Sequence, residues 1–178
     1  MSEVTRKEGN YVGYEYKDVT VNRDMESVYA DSYTNFGWEL EGTSTPLGSV
    51  NSVTMKFKRD RKLRNKAELT RLQRQFDSCA SEIVALERSK TVGASTVAYI
   101  IGVIGTAFMA GSVFAVTATN ANIPLCIILA IPGFIGWILP YLCFRRISKN
   151  KTEKVIPLID GKYDEIYEVC EKANLLLS

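Results

Sequence analysis

The chain contains no histidine. That absence removes the commonest general base and the commonest zinc ligand. Cysteine is scarce: Cys79, Cys126, Cys143 and Cys170 fall at no metal-binding spacing and outline no disulfide framework. Neither sign of charge is in excess. The 22 Lys and Arg against 20 Asp and Glu leave +2 over 178 residues, which excludes the strongly basic composition of a dedicated nucleic-acid binder. At 46% apolar residues the chain is not of disordered composition. The sharpest absence is local. From Thr91 to Phe144, 54 consecutive residues carry no charge, while the remainder is densely charged.

A hydrocarbon core about 30 Å thick takes about 20 apolar residues per helix, so this run holds two helices and a turn. Ala118-Thr119-Asn120-Ala121-Asn122-Ile123-Pro124 is the turn, which places helices at about 92–117 and 123–144. A buried helical hairpin in a soluble protein would need more surrounding chain than is present. Arg88 and Lys90 precede the first helix, and Arg145, Arg146, Lys149, Lys151 and Lys154 follow the second. The turn has no charge. The positive flanks predict an integral membrane protein with two spans and both termini cytosolic. The opening Met1–Glu8 is polar and charged, so no cleaved leader is expected. No acidic or basic residue lies in either span, unlike an ion-coupled pump. Thr96, Tyr99, Thr106 and Ser112 are the polar groups well inside the first, and Pro132 and Pro140 are candidate kinks in the second. Tyr99, Trp137 and Tyr141 read as interface anchors.

Small residues share faces. Ala107, Gly111 and Ala115 are spaced by four, with Gly102 and Gly105 on a neighbouring face; Ala130, Gly133 and Gly136 do similar work in the second span. Gly111, Ala115, Gly133 and Gly136 are the candidate helix-packing positions. Contact between the chain's own two helices and contact between subunits of a homo-oligomer both use such faces.

Outside the apolar run, Leu69, Leu72, Phe76, Cys79, Ile83 and Leu86 are spaced 3, 4, 3, 4, 3. Ile156, Ile159, Tyr163, Ile166, Cys170, Ala173 and Leu177 are spaced 3, 4, 3, 4, 3, 4. These are heptad seams, and the hairpin brings them together as an antiparallel stalk. Leu72, Phe76, Ile83, Ile159 and Ile166 are its candidate seam residues. Pro157 and Gly161 predict a break in the second helix, with a fresh start near Lys162.

The first 60 residues read as β-α-β-β. Tyr11–Val21 is a strand; Asn22 and Asp24 are candidate caps for a helix carrying Met25, Val28, Tyr29, Tyr33 and Phe36. Trp38-Glu39-Leu40-Glu41 and then Val53, Met55 and Phe57 alternate as strands. Tyr14-Glu15-Tyr16-Lys17, Phe36-Gly37-Trp38-Glu39-Leu40 and Lys56-Phe57-Lys58 together resemble a small bacterial β-α-β-β domain family of unknown function. Its pattern runs W-E-Y-K-V-V, then G-W-E-L. The resemblance covers about residues 11–60 and departs at Tyr14, Asp18 and Phe36. It implies a fold, and it carries no chemistry to transfer.

The expected fold class is therefore an α+β membrane protein: a cytosolic β-α-β-β module (1–60), a stalk helix (61–90), two transmembrane helices (91–144) and a return helix (145–178) pairing with the stalk. No catalytic, cofactor or metal constellation stands out. The basic run from Lys56 to Lys66 reads as a solvated linker. Lys62, Arg64, Arg145 and Arg146 are candidate contacts to anionic lipid or an acidic partner. The expected function is a non-enzymatic membrane tether, adaptor or assembly subunit. It presents its module to a cytosolic protein, or to its own copy, through an open sheet edge. The alternative is an oligomeric pore lined by Thr96, Thr106 and Ser112.

Overall fold

The computed structural model describes residues 13–117 and 123–177; Tyr11 and turn residues 118–122 lie outside them. The chain is α+β: a three-stranded antiparallel sheet and two long helices packed together. β1 (Tyr14–Asn22), α1 (Glu26–Thr34), β2 (Glu39–Ser44) and β3 (Ser52–Asp60) follow in that order, and a 3-10 turn (Arg23–Met25) leads into α1. The sheet order is β1-β3-β2, so β3 is central and both other strands are edges. Period-two alternation sends Val53, Met55, Phe57 and Arg59 inward from β3. The Asn22 side chain makes no capping bond. The Arg23 N–H instead donates to the Asn51 carbonyl at 2.9 Å, tying the start of the turn to the strand beside it. α1 ends at Thr34, so Phe36 sits in the following turn, held by its N–H to the Tyr33 carbonyl and fully buried. Gly37 follows at φ +80, where a Cβ would also meet Leu63 Cδ2 at 2.8 Å; only glycine suits it.

One nine-residue helix cannot cover a three-stranded sheet. The remaining cover comes from the outer ends of α2 (Lys66–Thr117) and α3 (Ile123–Leu177). Contacts divide the described chain into two compact units. One runs up to Cys79 and resumes at Asp164; the other is Ala80–Tyr163. In the first, Phe76 meets Tyr29 and Tyr33 edge-on, at centroid distances of 5.1 and 5.9 Å, and Phe36 at 5.8 Å. Leu69, Leu72, Ile166, Val169 and Ala173 are buried in the same unit. Asn174 donates to Asn35 Oδ1, and Cys79 to Glu165 Oε2. The compact module thus extends beyond residue 60 and takes in both helix ends.

α2 and α3 are each unbroken. The expected break at Pro157–Gly161 does not occur. Pro157 removes the donor to the Glu153 carbonyl, but both residues are exposed, so water can serve that carbonyl. Val155 and Ile159 stay packed on either side. Ile156, expected on the seam, is 46% exposed, and Val155 takes its place. Measured from Ile159, Val155 lies about 40° to one side of the contact line and Ile156 about 60° to the other. In the second unit Lys162 pairs with Glu82 at 3.0 Å, and Ile83 and Ile159 are buried.

At Gly105 and Gly136 the two helices meet glycine on glycine. A Cβ on Gly136 would stand 2.6 Å from Gly105 Cα, and one on Gly133 would stand 2.7 Å from Met109 Sδ. Gly136→Leu is accordingly expected to cost about 1–3 kcal/mol, seen as a lower unfolding midpoint in mild detergent. Gly102→Ala is the control. Its Cβ would meet nothing within 4 Å, and helix propensity favours alanine by about 1 kcal/mol. Equal destabilisation by both would show that the glycine contact does not set the packing.

Candidate functional site

The apolar windows of α2 and α3 have mean hydropathies of 2.0 and 2.2, and 17% and 11% of their residues are buried. Both helices are long and apolar enough to cross a membrane. Their large side chains, Ile104, Phe108, Phe134 and Ile138 among them, point outward. The hydroxyls are satisfied locally: Thr96 donates to the Val92 carbonyl and Thr106 to the Gly102 carbonyl, each at 2.9 Å. Ser112 differs, donating across to the Cys126 carbonyl of α3 at 3.1 Å. Ser112 therefore belongs to the helix contact. Beside the contact runs a groove of about 660 Å³, lined on α2 from Ser95 to Ala110 and on α3 by Trp137, Pro140 and Phe144.

In the module the polar chemistry is inward and paired. Arg59 is 5% exposed. Its Nε donates to Glu15 Oε1 at 2.6 Å and its Nη1 to the Phe36 carbonyl at 3.2 Å. The guanidinium lies 4.3 Å from the Trp38 ring centroid. Lys66 holds the other Glu15 oxygen at 2.5 Å. Burial alone would raise the Glu15 carboxyl. The hydrogen bonds and charges of Lys66 and Arg59 outweigh it and hold the group below its ordinary value. A second network joins Lys17 Nζ to the Tyr33 hydroxyl, which donates to Asp77 Oδ1, both at 3.0 Å. Burial, with Asp77 nearby, pushes Tyr29 up to about 12 and Tyr33 higher still. Tyr33 thus remains a neutral donor. The Trp38 indole donates to Gln73 Oε1 at 2.9 Å.

The outer sheet face is open. Tyr14 and Tyr16 are exposed, and Lys58 stands over the Tyr14 ring at 5.8 Å and against Glu39 at 3.4 Å. At the β2–β3 hairpin tip Leu47 and Val50 are almost fully exposed.

Of the residues singled out from sequence, Leu72, Phe76, Ile83, Ile159 and Ile166 are all buried. They fall in two units: Leu72, Phe76 and Ile166 with the sheet, Ile83 and Ile159 in the helix pair. Gly133 and Gly136 lie at the close contact; a Cβ on Gly111 would make an ordinary contact, 3.9 Å from Leu129 Cδ1, and Ala115 is buried. Lys62 and Arg64 are exposed between β3 and α2, and Arg145 and Arg146 are exposed on α3. Arg59 was hidden in a basic run, although it continues the inward alternation of Val53, Met55 and Phe57. Gly105, placed from sequence on a neighbouring face, makes the glycine contact; the groove was missed, and the four-residue spacing of Ala98, Gly102, Thr106 and Ala110 was its signal. Among the described residues no group of three or more metal-ligating side chains forms, and no buried side-chain nitrogen or oxygen lacks a partner. No protein-family model, curated protein or solved structure matches the chain.

Removing Glu15 leaves the Arg59 guanidinium buried beside Lys66. Glu15→Leu is expected to cost about 2 kcal/mol at neutral pH, less than the about 3–5 kcal/mol of a fully buried pair because Glu15 is a quarter exposed. The depressed carboxyl stabilises the fold above the unfolded value of 4.5, and this contribution is lost as pH falls through the lower folded value. Chemical unfolding at pH 7 and pH 3.5 should therefore show a smaller gap between wild type and variant at the lower pH. A constant gap would overturn the ionic account.

Proposed function

We propose that the chain is a small integral membrane protein with two spans and both ends in the cytosol. It acts as a non-enzymatic tether, adaptor or assembly subunit. The observation that carries this reading is the outward direction of the apolar side chains on α2 and α3, with under a fifth of each hydrophobic window buried. Water would not tolerate so large an apolar face on a small chain, whereas hydrocarbon matches it. The cations that follow Phe144 support the orientation. The module supplies the adaptor half of the reading. Its inward polar groups are paired with one another, while its outer side offers exposed tyrosines, an apolar hairpin tip and two strand edges. Such a surface suits recognition of a cytosolic protein by strand addition or side-chain contact.

Two measurements test the two halves. Alkaline extraction of cell membranes should leave the chain in the pellet, and protease should remove tags at both ends only from the cytosolic side. Release into the soluble fraction would end the membrane reading. A photo-cross-linker at Tyr16 or Leu47 should capture one defined cytosolic protein in cells, and capture should fall when the hairpin tip is altered by Leu47→Asp. Indiscriminate capture unaffected by that change would remove the adaptor reading and leave the membrane reading standing.

A further inference from the structure

The groove beside the helix contact has features that the tether reading does not use. Its volume, about 660 Å³, lies within the about 300–1,000 Å³ of ordinary ligand sites. Its α2 wall, from Ser95 to Ala110, runs about 22 Å along the helix axis, longer than the about 15 Å of one leaflet's hydrocarbon. The wall is low where Ala98, Gly102 and Ala110 line it, and a Cβ on Gly102 would meet open space. Trp137, Pro140 and Phe144 form the opposite wall toward the charged end.

That end carries cations on the faces that line the groove. Arg88 is seven residues before Ser95 and Lys151 seven beyond Phe144. A seven-residue step returns to within about 20° of the same face. The Lys151 ammonium reaches across to α2, 2.6 Å from where a Gly93 Cβ would be, on the flank away from Ser95; its flexible four-carbon stem lets it swing to the Arg88 side. Among the described residues neither Arg88 nor Lys151 has an acidic partner, nor does Arg145, Arg146 or Lys149. Their neighbours Lys90 and Lys162 are paired with Glu87 and Glu82.

We infer that this groove and the cations at its end hold one anionic phospholipid. The acyl chain lies along Ala98, Gly102 and Ala110, and the phosphate is held by Lys151 and Arg88. The inference rests on the membrane reading of α2 and α3. Charge complementarity selects lipid over a second copy of the chain. Two copies in one membrane place the same cationic ends side by side, and like charges oppose that pairing. A lipid phosphate neutralises them.

The test uses the full chain purified in mild detergent. It is offered equal amounts of phosphatidylglycerol and phosphatidylcholine with identical acyl chains, and retained lipid is read by native mass spectrometry. One phosphatidylglycerol per chain is expected, in preference to phosphatidylcholine. Each surface charge contributes about fivefold, so the double variant R88Q/K151Q should lose about 20-fold or more of that retention. Gly102→Leu should abolish retention of both lipids by filling the groove. Equal retention of the two lipids by the wild type would overturn the inference, as would unchanged preference in R88Q/K151Q. A dimer mass that vanishes in Gly102→Leu would assign the groove to a second copy instead. If the chain were soluble on alkaline extraction, the membrane reading itself would fail. Membrane retention without lipid preference would overturn only the groove assignment.

Discussion

The module depends on Phe76 closing its aromatic core. α1 is nine residues long, and it presents Tyr29 and Tyr33 to a sheet whose inner side chains include Met55 and Phe57. Without a further layer those rings would face water. Phe76 supplies it, edge-on to both tyrosines, with Leu69 and Leu72 buried beside it. The hydroxyl of Tyr33 then finds Asp77, the next residue of the same helix. Burying an aromatic ring and satisfying its polar tip are thus achieved by one helical turn. The start of α2 is part of the β-α-β-β core, and the module ends where its packing ends rather than where the sheet does.

The helix pair obeys a different constraint. Its apolar residues mostly face away from the chain, so little hydrophobic driving force holds the two helices together. Close backbone approach takes over, through Gly105 on Gly136 and Gly133 on Met109. That is the packing expected where the surroundings are as apolar as the side chains. It also explains why Ser112, the one buried hydroxyl of the α2 apolar run, reaches across to α3 rather than back along its own helix.

Much of this was legible in residues. The alternation of Val53, Met55 and Phe57 fixed a strand and its inner face, and the uncharged run from Thr91 to Phe144 fixed two long apolar helices. The seam pattern found Leu72, Phe76, Ile83, Ile159 and Ile166. Three things were not legible, each for a physical reason. Arg59 reads as surface because it is charged, yet Glu15 and Trp38 make its burial affordable, and neither neighbour is near in sequence. Pro157 reads as a breaker because an isolated helix cannot spare the donor; an exposed carbonyl and packed neighbours remove the difficulty. Gly105 was placed on a secondary face because spacing identifies small residues without saying which one meets another glycine.

The distribution of polar groups bears on what kind of function the module serves. A catalytic residue must keep a proton or a lone pair available to substrate. Here Glu15 is shared between Arg59 and Lys66, and Asp77 between Tyr33 and Lys17. The tyrosines that are buried are held neutral by burial and by the nearby carboxylate. The inner polar groups are thus engaged in holding the sheet to the helices. What the module leaves to its surroundings is of another kind: the exposed rings of Tyr14 and Tyr16, the side chains of Leu47 and Val50, and the backbone edges of β1 and β2. These groups can bury area and complete a sheet. The adaptor role proposed above rests on that inventory of exposed rings, apolar side chains and strand edges.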